Sequence, residues 1–256
     1  MSGACSLLVS VPKDEYSNGS HPVLEDGSTE AASEPVDGGP QPGSDDGGPR
    51  SGSDAGCDAT FCDSFDDGPL GATWDKVQAN AAELSLVPNA LSPPSAFQMH
   101  LFEQVDAGTK RVGFLGKDFP FPTRAHCTFA VSFPKPISPS VDIELASFFA
   151  QNGNTYYRTY VKLLPGTGWA LKEEITSQAT TASTLPAPVA TGVWHHVIFD
   201  AELGKSATLD VDGQKTSISL RAFPAGTLTF TLGESADSDL AEAVAVFDDV
   251  VCSLTP

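Results

Sequence analysis

From residue 57 onward the chain is written in short apolar runs that alternate with polar residues and stop at Gly, Pro, Asn or Asp. That period of two, repeated so often, constrains the fold more than any other feature: it selects strands, whose side chains point alternately to opposite faces. Candidate strands are AFQMHLF (96–102), RVGFLG (111–116), HCTFAVSF (126–133), VDIELASFFAQ (141–151), TYYRTYVKLL (155–164) and GWALKEEI (168–175). VWHHVIFDAEL (193–203), SATLDVDG (206–213), QKTSISLRAF (214–223), TLTFTLGE (227–234) and AVAVFDDVVCSL (243–254) follow. Asn152-Gly153-Asn154 and Asp212-Gly213 are hairpin signals. Helical periodicity is weak throughout, and ADSDLAEAVAV (236–246), which could begin a helix, ends like a strand. About a dozen short strands over about 200 residues predict an all-β domain, a two-sheet antiparallel jelly-roll sandwich spanning 57–256.

Residues 12–56 are of another kind. Gly, Pro, Ser and Asp dominate, and apolar side chains are too few to offset the entropy of ordering, which predicts a disordered acidic tether. The whole chain carries a formal charge of −19, from 14 basic and 33 acidic residues. Such a balance excludes a nucleic-acid partner and direct binding to anionic membranes, both of which need a basic footprint. No apolar run approaches the roughly 18 residues needed to span a bilayer. Neither an EF-hand loop nor a calcium-binding repeat occurs in the acidic segment.

The first 11 residues begin MSGACSLLVS, and Ser-Gly-Ala-Cys resembles the end of a bacterial lipoprotein signal, in which the cysteine is lipidated. Only four residues lie upstream of Cys5, too few for the apolar part of such a signal. The tether directly after Cys5 supports the lipoprotein reading, and Ser6 does not suggest inner-membrane retention. The expectation is an exported protein at the bacterial outer membrane or cell surface, in contact with the membrane only through the lipid on Cys5. Export places the other four cysteines in an oxidising compartment, where they should pair. Cys57 and Cys62 close a short loop, leaving Cys127 and Cys252 for each other across about 125 residues. Chain entropy gives that second bridge roughly 4–5 kcal/mol. Zinc fits these cysteines poorly, because no CxxC pair is present.

Three stretches then line up: FCDSFDDGPLGATW (61–74), GVWHHVIFDAELGKSATLDVDGQ (192–214) and AVFDDVVC (245–252). Together they resemble the concanavalin A-like lectin/glucanase superfamily, near its laminin-G-like branch. The resemblance implies one concave and one convex sheet. It also implies a calcium site on the convex side, for which Asp63 and Asp66, with Asp248 or Asp249, are the candidates; carboxylates suit this hard cation.

His195 and His196 are adjacent on a predicted strand, so they point apart and cannot share a metal. Trp194 is expected in or near the core. The glucanase pattern of three alternating carboxylates finds only Asp142 and Glu144, about 6.5–7 Å apart along the strand. Ala146 stands where the third would be, and no nucleophile elbow or phosphate loop occurs. A sugar groove needs aromatic faces and polar groups. Tyr156, Arg158, Tyr160 and Lys162 share one predicted face, Trp169 or Lys172 joins them depending on register, and Asp142 and Glu144 come from the preceding strand. The function expected is a tethered, non-catalytic carbohydrate-binding protein. The alternatives are a structural or protein-interaction domain, or a glycan-cleaving enzyme using Asp142 and Glu144.

Overall fold

The structure is a computed structural model that describes residues 59–103, 111–138, 142–164, 168–222, 226–233, 235–236 and 241–256. Cys5, Cys57, the lipoprotein-like segment 1–11 and the tether 12–56 lie outside the described residues. The described residues contain strands and no helix. The strands are β1 (Phe61–Asp63), β2 (Lys76–Asn80), β3 (Ala82–Val87), β4 (Ala96–Leu101), β5 (Arg111–Pro120), β6 (Arg124–Ser132), β7 (Ile143–Asn152) and β8 (Thr155–Leu164). They continue with β9 (Gly168–Ile175), β10 (Thr181–Leu185), β11 (Trp194–Glu202), β12 (Ser206–Val211), β13 (Gln214–Ser219), β14 (Thr227–Leu232), β15 (Ser235–Ala236) and β16 (Ala243–Thr255).

Two antiparallel sheets form a sandwich. The first runs β13-β12-β11-β6-β16-β4-β3, with β1 added against β16. The second runs β10-β9-β8-β7-β14-β5-β2, and β15 continues the slot of β14 between β7 and β5. Turn chemistry sets the hairpins where the sequence places them. Val211 pairs with Gln214 across Asp212-Gly213, both at positive φ (53° and 84°), and Asn152 pairs with Thr155 across Gly153-Asn154.

The core lies between the sheets and is rich in phenylalanine. Phe148 of the second sheet stacks on Phe199 of the first at 4.4 Å between ring centres, and Phe97 stacks on Phe247 at 5.6 Å. Phe129, Phe133, Phe230, Met99, Leu101 and Leu115 fill the same layer. Cys127 of β6 and Cys252 of β16 face each other in register and form the expected disulfide. Cys62 is disulfide-bonded as well. Such bonds fit an oxidising compartment and an exported protein.

Strands β1, β2, β3, β10 and β15 lie outside the runs read from the sequence. Strands β2 and β3 were not expected, since KVQANAAELSLV is rich in alanine and polar residues. Both are half-exposed, and Ala81 between them, at φ 49°, passes the chain from the second sheet to the first. Strand β10 is also mostly exposed, so its sequence, TASTL, lacks the apolar alternation of a buried strand.

Candidate functional site

One face of each sheet is turned away from the core. On the second sheet the cross-strand register aligns a single row of outward side chains. It runs Lys172 (β9), Tyr160 (β8), Ser147 (β7), Thr231 (β14), Gly116 (β5) and Lys76 (β2). At about 4.8 Å per strand this track is about 24 Å long. Its middle is low and buried: Tyr160, Ser147, Thr231 and Gly116 have little exposure, Ser147 and Thr231 share a hydrogen bond of 2.7 Å, Gly116 has no side chain, and the two lysines at the ends are the more exposed part of the row. Taller groups flank it. Glu174, Arg158, Phe149 and Asp118 stand on one side, and Lys162, Glu144 and Phe114 on the other.

Charge at the β7–β8 end is arranged in pairs. Lys162 Nζ donates to Asp142 Oδ2 at 2.7 Å and lies 3.9 Å from Glu144, whose other oxygen pairs with Arg158. Glu144 and Lys162 side chains are only 3% and 5% exposed, so each needs the other's charge. The Arg158 guanidinium also lies over the Tyr160 ring, 4.6 Å from its centre. Lys172 is directly opposite Tyr160 and has no carboxylate partner among the described residues. Tyr156 donates its hydroxyl to Glu174, and its ring stacks with Phe149 at 6.3 Å. Burial, then that bond to Glu174 and its negative charge, push the Tyr156 phenol up to about 12, so it stays neutral.

The structure therefore brings Asp142, Glu144, Tyr156, Arg158 and Tyr160 together as the sequence suggested. It corrects the expected position of Trp169. Trp169 is fully buried, facing inward opposite Leu163, against Phe133 and the His195 ring, and cannot stack on a ligand. The register resolves the alternative in favour of Lys172. Asp142 pairs with Lys162, and Glu144 with Arg158 and Lys162, so both carboxylates are held by cations on β8. Ser147, Thr231, Gly116 and Lys76 were missed, because only the pairing of distant strands puts them in one row, and Asp118, on the flank beside Thr229, was missed for the same reason.

The four aspartates proposed for calcium are used otherwise. Asp63 accepts from Phe65 N at 2.7 Å, and from the Thr73 hydroxyl and Trp74 Nε1. Asp66 accepts from Ser95 N, and Asp249 from the Ser92 hydroxyl. Asp248, fully buried at a bulge in β16, accepts from the backbone of Leu91, Ser92 and Asp249. Donor hydrogens thus point at both oxygens of Asp63 and Asp248 and at one oxygen each of Asp66 and Asp249, and burial raises Asp248 above its ordinary carboxylate value. Among the described residues, no group of three or more His, Cys, Asp or Glu side chains is placed to hold a metal ion.

The two histidines do point apart. His195 is buried and His196 exposed. Ala190 N donates to His195 Nε2 at 3.3 Å, so Nδ1 carries the hydrogen given to Asp212 Oδ2 at 2.7 Å. Trp194 shares the outward face of His196 and is half-buried there, contrary to its expected core position.

No protein family model and no curated protein matches the chain. Solved structures do. An endo-β-1,4-glucuronan lyase from the fungus Trichoderma reesei superposes with a TM-score of 0.59 at 17% identity, covering 77% of this chain and 96% of that one. The domain has the concanavalin A-like lectin/glucanase fold. A cellulose-induced protein gives 0.56 at 13% identity over 75% and 96% of the two chains, and an alginate lyase from a Chlorella virus 0.53 at 10% over 72% and 94%. At such identities the likeness establishes the sandwich, and function must be argued from this chain's own residues.

Proposed function

We propose that the outward face of the second sheet binds an acidic polysaccharide laid across its strands. The observation that carries this reading is the track from Lys172 to Lys76, bordered by Arg158, Phe149 and Tyr156. Ammonium donors suit the carboxylates and hydroxyls of sugars, and the rings suit their C–H faces. Lys172 is the natural partner for a sugar carboxylate, since no carboxylate among the described residues pairs with it. The glucuronan and alginate lyases among the structural neighbours act on polymers of that class, which supports the choice. The acidic tether and Cys5 complete the picture as a lipoprotein that holds the domain away from an outer membrane. Affinity electrophoresis against glucuronan, alginate and a neutral glucan tests the reading: retention by the acidic polymers, lost in Lys172→Ala, supports it, and equal mobility in all gels refutes it.

A second reading rests on Tyr160. Its ring lies under the Arg158 guanidinium, 4.6 Å from the ring centre, and its strand partner is Lys172, so a uronate drawn to those cations would bring a carbon-bound proton near a phenol that could take it. Incubation with glucuronan or alginate, followed by the ultraviolet absorbance of unsaturated chain ends, decides between binding and cleavage. Absorbance that grows in the wild type and not in Tyr160→Phe selects the lyase; none in either selects the binding protein.

A further inference from the structure

We infer that Lys76 is a second anchoring point for the same ligand, so that the track discriminates by chain length; the inference rests on the polysaccharide reading above. Lys76 begins β2, at the edge of the sheet farthest from β10. Asp118 Oδ1 accepts from its Nζ at 2.7 Å, and the Thr229 hydroxyl oxygen lies within bonding distance at 3.1 Å. Thr229 in turn donates to the same Asp118 oxygen at 2.6 Å. Burial alone would raise Asp118, but the bonds from Lys76 and Thr229 and the charges of Lys76 and Lys117 hold it below the usual carboxylate value. The ammonium is therefore fixed in place. It has three hydrogens, Asp118 and Thr229 account for two, and 39% of the side chain remains exposed.

The path to Lys76 is kept low. Gly116 stands directly between Thr231 and Lys76 in the row. A Cβ there would lie 3.2 Å from the Lys76 Cβ and 3.4 Å from the Phe114 ring, so any larger residue would crowd the floor. The Ser147 and Thr231 hydroxyls share one hydrogen bond, in which one donates and the other accepts, so neither stands up as a tall group in the path. By register Lys76 is four strands from Tyr160 and five from Lys172, about 19 and 24 Å at about 4.8 Å per strand. A glycan long enough to reach both lysines makes its second contact intramolecularly, and a shorter one cannot.

Size-fractionated oligoglucuronates, titrated calorimetrically into the full chain, test this. Wild-type affinity should step upward once the oligomer spans about 24 Å. Lys76→Met, which keeps the stem and removes the charge, should lower long-oligomer affinity about tenfold and leave short-oligomer affinity unchanged. Lys76→Arg should keep the step, and Lys172→Ala should weaken every length. Thermal melts of the variants separate lost contacts from lost fold. An unaltered length step in Lys76→Met, equal loss at all lengths, or no step in the wild type overturns the second anchor while the first site stands. Wild-type protein that binds none of the oligomers overturns the acidic-polysaccharide reading and the anchor with it.

Discussion

Replacing both Cys127 and Cys252 by alanine removes the bond that joins β6 to β16, and its effect can be worked out in advance. The two residues are 125 apart in sequence. Opening a loop of that length restores unfolded-chain entropy equivalent to about 5 kcal/mol in the loop-closure treatment. Both side chains are fully buried, so two small cavities add to the loss. For a domain of about 200 residues, each kcal/mol moves the melting temperature by about 2–4 °C, giving a drop of about 10–20 °C. Urea unfolding of the wild type and the double variant, both without reductant, measures it as a fall in midpoint. A loss below about 1 kcal/mol would refute the reasoning, because the bridge would then add nothing to a pairing that the strands already hold.

Other consequences follow from the same geometry. Glu144→Gln should destabilise the domain by about 3 kcal/mol, since it leaves the buried Lys162 and Arg158 charges short of a partner, and denaturant unfolding would show it. Asp248→Ala should cost about 2–4 kcal/mol by stranding the Leu91, Ser92 and Asp249 N–H groups, again read from the unfolding midpoint. Asp200 is partly buried, which would raise it, but Arg124 holds it below the usual carboxylate value. Its contribution is present above that ordinary value and vanishes as pH falls through the lowered one. Stability of Arg124→Ala should therefore lie slightly below wild type near neutrality and converge with it in acid, as urea midpoints over a pH series would show.

Much of the sandwich was legible because its strands are buried on one face. β8 and β9 lie where TYYRTYVKLL and GWALKEEI place them, and the Asp212-Gly213 turn is chemically specified. Exposed strands such as β2 and β10 carry no such alternation, so they were invisible. Trp169 shows the limit for the site. Alternation tells that Trp169 and Lys172 face opposite ways, but only the pairing of Tyr160 with Lys172 tells which of them shares the ligand face. Ser147, Thr231 and Gly116 are ordinary residues in sequence. They acquire meaning from a row that crosses strands far apart in the chain.

The most direct test of the central claim is the binding of glucuronan to three proteins: wild type, Lys172→Ala on the outward face of the second sheet, and His196→Ala on the outward face of the first. Saturable binding by wild type and His196→Ala, weakened about tenfold or more in Lys172→Ala, is the predicted result. Binding that survives in Lys172→Ala, or that fails equally in His196→Ala, would place the ligand elsewhere and contradict it.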